Sequence, residues 1–189
     1  MRKMSKSLQW IGLSMILAVI SSCSVQKTGT TEEWQELQAM INSGELRIEA
    51  QAAYPSNTYA SQQVINQVLT NTGDSAARID ISGDGHFMQI GNDQVMANLP
   101  FYGERRQAGS YAGTDGDTGI VFEDSPDDYE ISADDNKRRY DISFEVNQGT
   151  ENYNVDLILF ANKNAVIYVN SNQRTRMEYR GTINSVSQD

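Results

Sequence analysis

His86 is the only histidine in the chain, so a nucleophile–histidine–carboxylate relay would have to be built on it. It shares an alternating face with Met88 and Ile90, and no Gly-x-Ser-x-Gly elbow accompanies it. The expectation is a partly buried or rim histidine in a strand. The count alone rules out a metal centre built from several histidines. Asp115-Gly116-Asp117-Thr118-Gly119 begins like a calcium loop. Its fifth and twelfth positions hold Gly119 and Pro126, where a ligand and a glutamate belong. The acids Glu123, Asp124, Asp127 and Asp128 read as a solvated turn around Pro126. Paired carboxylates hydrolyse glycosides, but with 25 acids in the chain some pair meets by chance in any fold, and spacing singles out none. The glycines of 103–119 match neither a P-loop nor a dinucleotide pattern. No catalytic residue, cofactor or metal is assigned.

Recognition is the better-supported chemistry. The stretch from Pro100 to Gly119 is irregular and rich in glycine, with Phe101, Tyr102, Arg105, Arg106 and Tyr111 among the glycines. A loop of that length in a compact domain is uncommon and often functional. Arginine offers a planar fork for carboxylate or phosphate. Tyrosine offers an apolar face with a polar tip. Tyr102, Arg105, Arg106 and Tyr111 are therefore the candidate binding residues. The competing reading has them as loop residues folded over the open end of a sheet. The basic run Lys137-Arg138-Arg139 lies next to Asp134 and Asp135 and reads as charge compensation at a turn.

These side chains need a scaffold. Residues 1–22 have the three parts of a cleaved export signal: basic Arg2, Lys3 and Lys6, an apolar run from Trp10 to Ile20, and small Ser21 and Ser22. An apolar run of 11 residues is short of the ~20 that span a bilayer. Ile20-Ser21-Ser22-Cys23 resembles the lipobox of bacterial lipoproteins, which implies diacylglycerol on Cys23. Cys23 is the sole cysteine, so no disulfide and no thiol nucleophile remain. Residues 23–30 read as a lipidated tether and 31–189 as one β-rich domain. All 25 acids lie after the signal, against 12 of the 15 basic residues, giving a formal charge of −13. That balance excludes a nucleic-acid footprint.

Thr30 and Glu33 have capping-box spacing, Trp34, Leu37 and Ile41 recur at helical spacing, and Gly44 is a stop, which predicts one helix near 31–43. From Leu46 the period is two: Leu46, Ile48, Ala50 and Ala52, then Ala77, Ile79 and Ile81, then His86, Met88 and Ile90, then Val95, Ala97 and Leu99. It continues through Tyr140 to Val146, Tyr153 to Leu159, Ile167 and Val169, and Met177 to Ile183. Residues 56–74 read equally as a short helix or an elaborated loop. Nine or ten strands with short turns predict a mainly β fold, an antiparallel up-and-down meander. A closed sheet hides its edges, so a lipocalin-like barrel is expected, complete or incomplete, with a two-sheet β-sandwich as the alternative.

Several runs resemble a known family. They are Val95-Met96-Ala97-Asn98-Leu99-Pro100-Phe101-Tyr102-Gly103, Gly119-Ile120-Val121-Phe122, Asp128-Tyr129-Glu130 and Arg139 to Val146. Ser171-Asn172-Gln173-Arg174, Tyr179-Arg180-Gly181 and Ala53-Tyr54-Pro55 complete the set. In this order they are similar to the lipoprotein family of domain of unknown function 4251, typical of Bacteroidetes-type bacteria. In the family pattern an arginine follows the Leu-Pro-aromatic-aromatic-Gly run. Here Glu104 intervenes, and Arg105 or Arg106 takes that place. The resemblance implies a lipid-anchored, mostly β domain of the cell envelope and brings no activity with it.

The expectation for function is a non-enzymatic envelope protein, held to the membrane by lipid on Cys23, that binds a ligand or an envelope protein. Ser24-Val25-Gln26-Lys27 lacks the acidic run that often marks surface export in such bacteria. The expected face is therefore the periplasmic one, with the outer membrane as the expected anchor, although the residues themselves do not choose between inner and outer membrane. A carboxylate-based hydrolase of envelope glycans and a structural or assembly lipoprotein without small ligand are the alternatives. Replacing the anchor tests the first step. Cys23→Ser is expected to move the protein from the membrane to the soluble fraction, read by fractionation and immunoblotting. Retention of that variant in the membrane would remove lipid on Cys23 as the anchor.

Overall fold

The computed structural model of the protein describes residues 28–56, 75, 77–91, 93–106 and 119–185. The signal and lipobox, the ambiguous stretch within 56–74 and Tyr111 lie outside these, as the expectations made for them do.

The helix α1 (Thr31–Ser43) starts where its cap residues place it. The Glu33 amide donates to Thr30 Oγ1 at 3.2 Å, and the Thr30 amide donates to the Glu33 carboxylate at 2.6 Å, so the capping box is complete. Gly44 ends the helix in the left-handed conformation at φ 72°, its amide donating to the Ile41 carbonyl. Trp34 and Leu37 are buried in the core, and the Trp34 ring lies 5.1 Å from that of Tyr140. Two basic residues of strand turns fix the helix entry. Arg138 donates to the Gly29 carbonyl at 2.6 Å and to Thr31 Oγ1 at 2.9 Å, and Lys163 pairs with Glu36 at 2.7 Å. Lys137 pairs with Asp134, and Arg139 with Asp141. The basic run thus compensates local acids, while Arg138 reaches further and holds the helix. Among the described residues no helix is long and apolar enough to cross a membrane.

Ten strands follow. The first five are β1 (Leu46–Pro55), β2 (Ile79–Asp80), β3 (Phe87–Gly91), β4 (Gln94–Leu99) and β5 (Ile120–Asp124). The second five are β6 (Asp127–Asp134), β7 (Arg139–Gln148), β8 (Glu151–Phe160), β9 (Asn164–Ser171) and β10 (Met177–Asn184). Alternation marks most of them because one face of each is buried. In β8, Tyr153, Val155, Leu157 and Leu159 point inward and Asn154, Asp156 and Ile158 outward. The run around Ala77–Ile81 shrinks to the two residues of β2. His86 falls just ahead of β3, half-buried, its carbonyl accepting from the Ala50 amide at 2.9 Å.

The sheet order is β5-β4-β3-β1-β10-β9-β8-β7-β6, with β2 set aside on β1, and every pairing is antiparallel. The expected barrel-like meander is therefore present as one curled half-barrel, not as two stacked sheets. β1 joins its two arms, β3-β4-β5 on one side and β10 to β6 on the other. β6 is exposed along almost its whole length.

The β1–β10 seam depends on one glycine. The β1 register shifts between Ala50 and Ala52, opposite Gly181. A Cβ on Gly181 would run into the Glu49 carbonyl and the Ala50 Cα. That obstacle is backbone and cannot swing aside. Gly44, by contrast, has open space around its missing side chain. Gly181→Ala is expected to lose about 2–3 kcal/mol of stability, the upper part of the overpacking range. Gly44→Ala should lose only about 1 kcal/mol, from its positive φ. Urea melts of both variants check the order. Equal losses would show that β1 gives way.

Candidate functional site

Pro100 ends β4, because a proline cannot continue a ladder. The next six residues do not leave the sheet. They run along the connection between β9 and β10, residues 172–176. The Thr175 amide donates to the Glu104 carbonyl at 2.9 Å, and the Arg106 amide donates to the Gln173 carbonyl at 2.7 Å. The Glu104 amide donates to Thr175 Oγ1 at 2.9 Å. Arg105 and Arg174 form an isolated antiparallel bridge between the segments. Gly103 makes this approach possible, since a Cβ there would meet Thr175 Oγ1 and the Phe101 ring. Tyr179, fully buried, donates its hydroxyl to the Pro100 carbonyl at 2.7 Å.

Beneath this segment lies Arg174, the one buried charged residue among those described, 6% exposed. Its Nε donates to Glu151 Oε1 at 2.8 Å and its Nη2 to Glu151 Oε2 at 3.1 Å, a two-pronged pair. Its Nη1 donates to the Gly119 carbonyl at 2.6 Å, and its guanidinium lies 5.1 Å from the Phe101 ring centroid. Glu151 also accepts from Ser171 Oγ at 2.5 Å. The residues that bracket 107–118 are thus both held by the same connection, Arg106 through Gln173 and Gly119 through Arg174. Asn172 and Gln173 in turn donate to the Thr150 carbonyl in the β7–β8 turn.

Burial alone would push the Glu151 carboxyl up. The hydrogen bonds from Arg174 and Ser171, together with the guanidinium charge, outweigh it and hold Glu151 below its ordinary value. Burial pushes the Tyr153 and Tyr179 hydroxyls well up, so both stay protonated as donors.

Three of the four candidate residues come together here. Arg105 and Arg106 are exposed and Tyr102 is half-buried against the core. Adjacent residues on extended backbone project to opposite sides, so the two arginines do not form one clamp. Arg105 lies near enough to Tyr153 for its charge to act on that hydroxyl. The Arg174–Glu151 pair was not legible in advance. The two residues lie 23 apart, and although Arg174 closes a run that resembles the family, nothing in the sequence pairs it with Glu151.

A second concavity crosses the outer face of β6 to β9. It encloses about 600 Å³ and is lined by Glu130, Asp141, Asp156, Tyr168 and Arg176 among others. The register carries Glu130 to Ser143, Asp156 and Tyr168 in one row. Glu130 and Asp156 are exposed, and Asp141 is held by Arg139 at 3.1 Å. Arg176 lies over Tyr168 at 4.2 Å. Sequence spacing could not assemble this row, which depends on four strands falling into register.

A family model for domain of unknown function DUF4251 matches residues 29–183. The chain belongs to the DUF4251 family. Among solved structures, the crystal structure of a DUF4251 family protein from Bacteroides eggerthii shares the fold, with a TM-score of 0.55 at 15% identity. The match covers 84% of this chain and 91% of that one. No curated protein matches the chain. Several of the runs that resembled the family gather around one end of this DUF4251 domain. Leu-Pro-Phe-Tyr-Gly lies on Ser-Asn-Gln-Arg, Tyr179 bonds Pro100, and Arg180 covers Tyr54 at 4.7 Å.

Glu151→Gln is expected to lose about 3–5 kcal/mol, because it leaves a buried guanidinium short of its counter-charge. Glu151→Leu with Arg174→Met should recover much of that loss. The pH dependence has a fixed sign. Glu151 titrates lower when folded than its unfolded value of ~4.3. The pair's contribution is whole above about pH 5 and fades as pH falls through the folded value. The acid branch of a stability–pH curve should therefore be shallower in the double variant. An unchanged branch would show that the pair stores little.

Proposed function

We propose that the chain is a non-enzymatic, lipid-anchored envelope protein, held at the outer membrane and facing the periplasm, that recognises an anionic ligand or partner. The recognition surface is the sheet end formed by Tyr102, Arg105 and Arg106. One observation carries the reading. Backbone bonds to Gln173 and Thr175 hold residues 104–106, while the Arg105 and Arg106 side chains face water. A held loop on a rigid sheet has little conformational freedom left to lose on binding. In a chain of charge −13 after the signal, these cations are the natural partners for carboxylate, phosphate or sulfate groups.

A hydrolase placed on the outer groove would use Glu130, Asp141 and Asp156. A general acid needs an apolar surrounding, whereas Glu130 and Asp156 are exposed and Asp141 is paired. Binding is therefore the preferred use of that face too.

Tyr102 packs on the core, so the clean probe is Arg105→Ser with Arg106→Ser. Titration with an anionic polysaccharide such as polygalacturonate should show about tenfold weaker binding in the double variant, the worth of one charge-assisted contact. The thermal melt should be unchanged. Unchanged binding with a lowered melt would make these arginines structural cover.

A further inference from the structure

At the other side of the barrel the strand β6 lies open. Among the described residues it ladders with β7 alone, and β5 meets β7 across the seam without laddering to β6. The β6 ladder is regular from Glu130 to Asp134, beyond a shift after Asp127. Its side chains divide by face. Tyr129 and Ile131 turn inward, Tyr129 stacking on Phe144 at 6.2 Å and Ile131 pairing with buried Ile142. Both remain 41% and 45% exposed despite that direction. The reason is a groove of about 760 Å³ beside them, with Ile41, Leu46, Ile90 and Pro126 in its walls. Asp93 also lines it. The other face of β6 carries Glu130, Ser132 and Asp134, with Asp134 paired to Lys137 and exposed Asp156 behind Glu130 in the register row.

An open edge with its own row of backbone donors and acceptors is a template for another strand. We infer that β6 accepts one extended segment of a partner protein, whose alternate side chains are apolar and basic. The apolar ones enter the groove between β6 and the end of α1. The basic ones lie on the outer face against Glu130, with Asp156 behind it. Charge selects this occupant over a second copy of the chain. An antiparallel copy of β6 would set one acidic row beside another, and like charges directly opposite are destabilising. The proposal does not depend on the arginine end.

The probe is a fluorescein-labelled, N-acetylated heptapeptide of alternating lysine and isoleucine, titrated into the purified lipid-free protein and read by anisotropy. It should bind, weaken about tenfold between 50 and 300 mM salt as screening grows, and protect amides of residues 127–134 in hydrogen exchange. The glutamate–isoleucine peptide should bind at least tenfold more weakly. Ile131→Lys and Glu130→Lys should each weaken the lysine peptide about tenfold, while Val121→Lys on β5 should leave it unchanged. Three results overturn the proposal. They are equal binding of the two peptides, protection confined to residues outside β6, and a concentration-dependent dimer that Ile131→Lys abolishes.

Discussion

The two edge strands of this sheet run in the same direction and are joined by two residues. Nine strands paired antiparallel in one path leave β5 and β6 parallel, and only Ser125 and Pro126 separate them. A parallel ladder needs a crossover of about a dozen residues or more. β5 and β6 therefore cannot pair as neighbours. They act as one strand bent at Pro126, the first half bonded to β4 and the second to β7. Distance makes the curl compulsory. Nine strands laid flat at ~4.8 Å spacing would put β5 and β6 about 38 Å apart, whereas the steps from Asp124 to Asp127 reach at most about 11 Å. The sheet has to roll up, and its core and its open seam follow from that. One face of every long strand turns into the barrel and is apolar. The bent strand bonds only one neighbour with each half, so a free edge persists.

At the end of the sheet near residues 100–106, the structure spends a buried ion pair where an apolar pair would hold as well. Replacing such pairs by apolar residues is often neutral for stability. What Arg174 does that an apolar residue cannot is bond three separate pieces of chain at once. It reaches the start of β8 through Glu151, the approach to β5 through Gly119, and the ring of Phe101 after β4. A hydrophobic contact would join these without fixing their register; a forked cation does both.

Alternation was enough to read β1, β4 and β7 to β10, because each has one buried face and one wet one. The helix was legible to the residue, since Thr30, Glu33 and Gly44 are local signals acting within four positions. β5 and β6 were not read from period. β5 has five residues and ends in two acids, and β6 buries almost nothing, so no strong contrast marks either face. Of the candidate site, Tyr102, Arg105 and Arg106 were found by composition. Their support was not, because Arg174 and Glu151 meet only after β8 and β9 pair. The same holds for the outer row of Glu130, Asp156 and Tyr168. Composition finds exposed groups within one segment, whereas cross-strand groups need the register, which a one-residue slip would invert.

The register also decides which end of the barrel each segment occupies. The described chain enters at Thr28, whose amide donates to the Lys137 carbonyl in the β6–β7 turn. Gly29 and α1 are held by Arg138 in that turn, and α1 by Lys163 in the β8–β9 turn. Residues 100–106 lie on the β9–β10 connection, at the far end of β9. The eight residues of β9 span roughly 26 Å at ~3.3 Å each. Tether and arginines therefore occupy opposite ends of the barrel. On the proposed anchor at Cys23, four residues would separate the lipid from Thr28, a reach of under about 20 Å. That short lead would keep the β6–β7 turn near the lipid surface and set Arg105 and Arg106 on the side away from it. Cations at the membrane end would be drawn to anionic headgroups. At the far end they would meet soluble or wall-bound anions instead, while the acidic face of β6 would look sideways, open to a neighbour in the same plane.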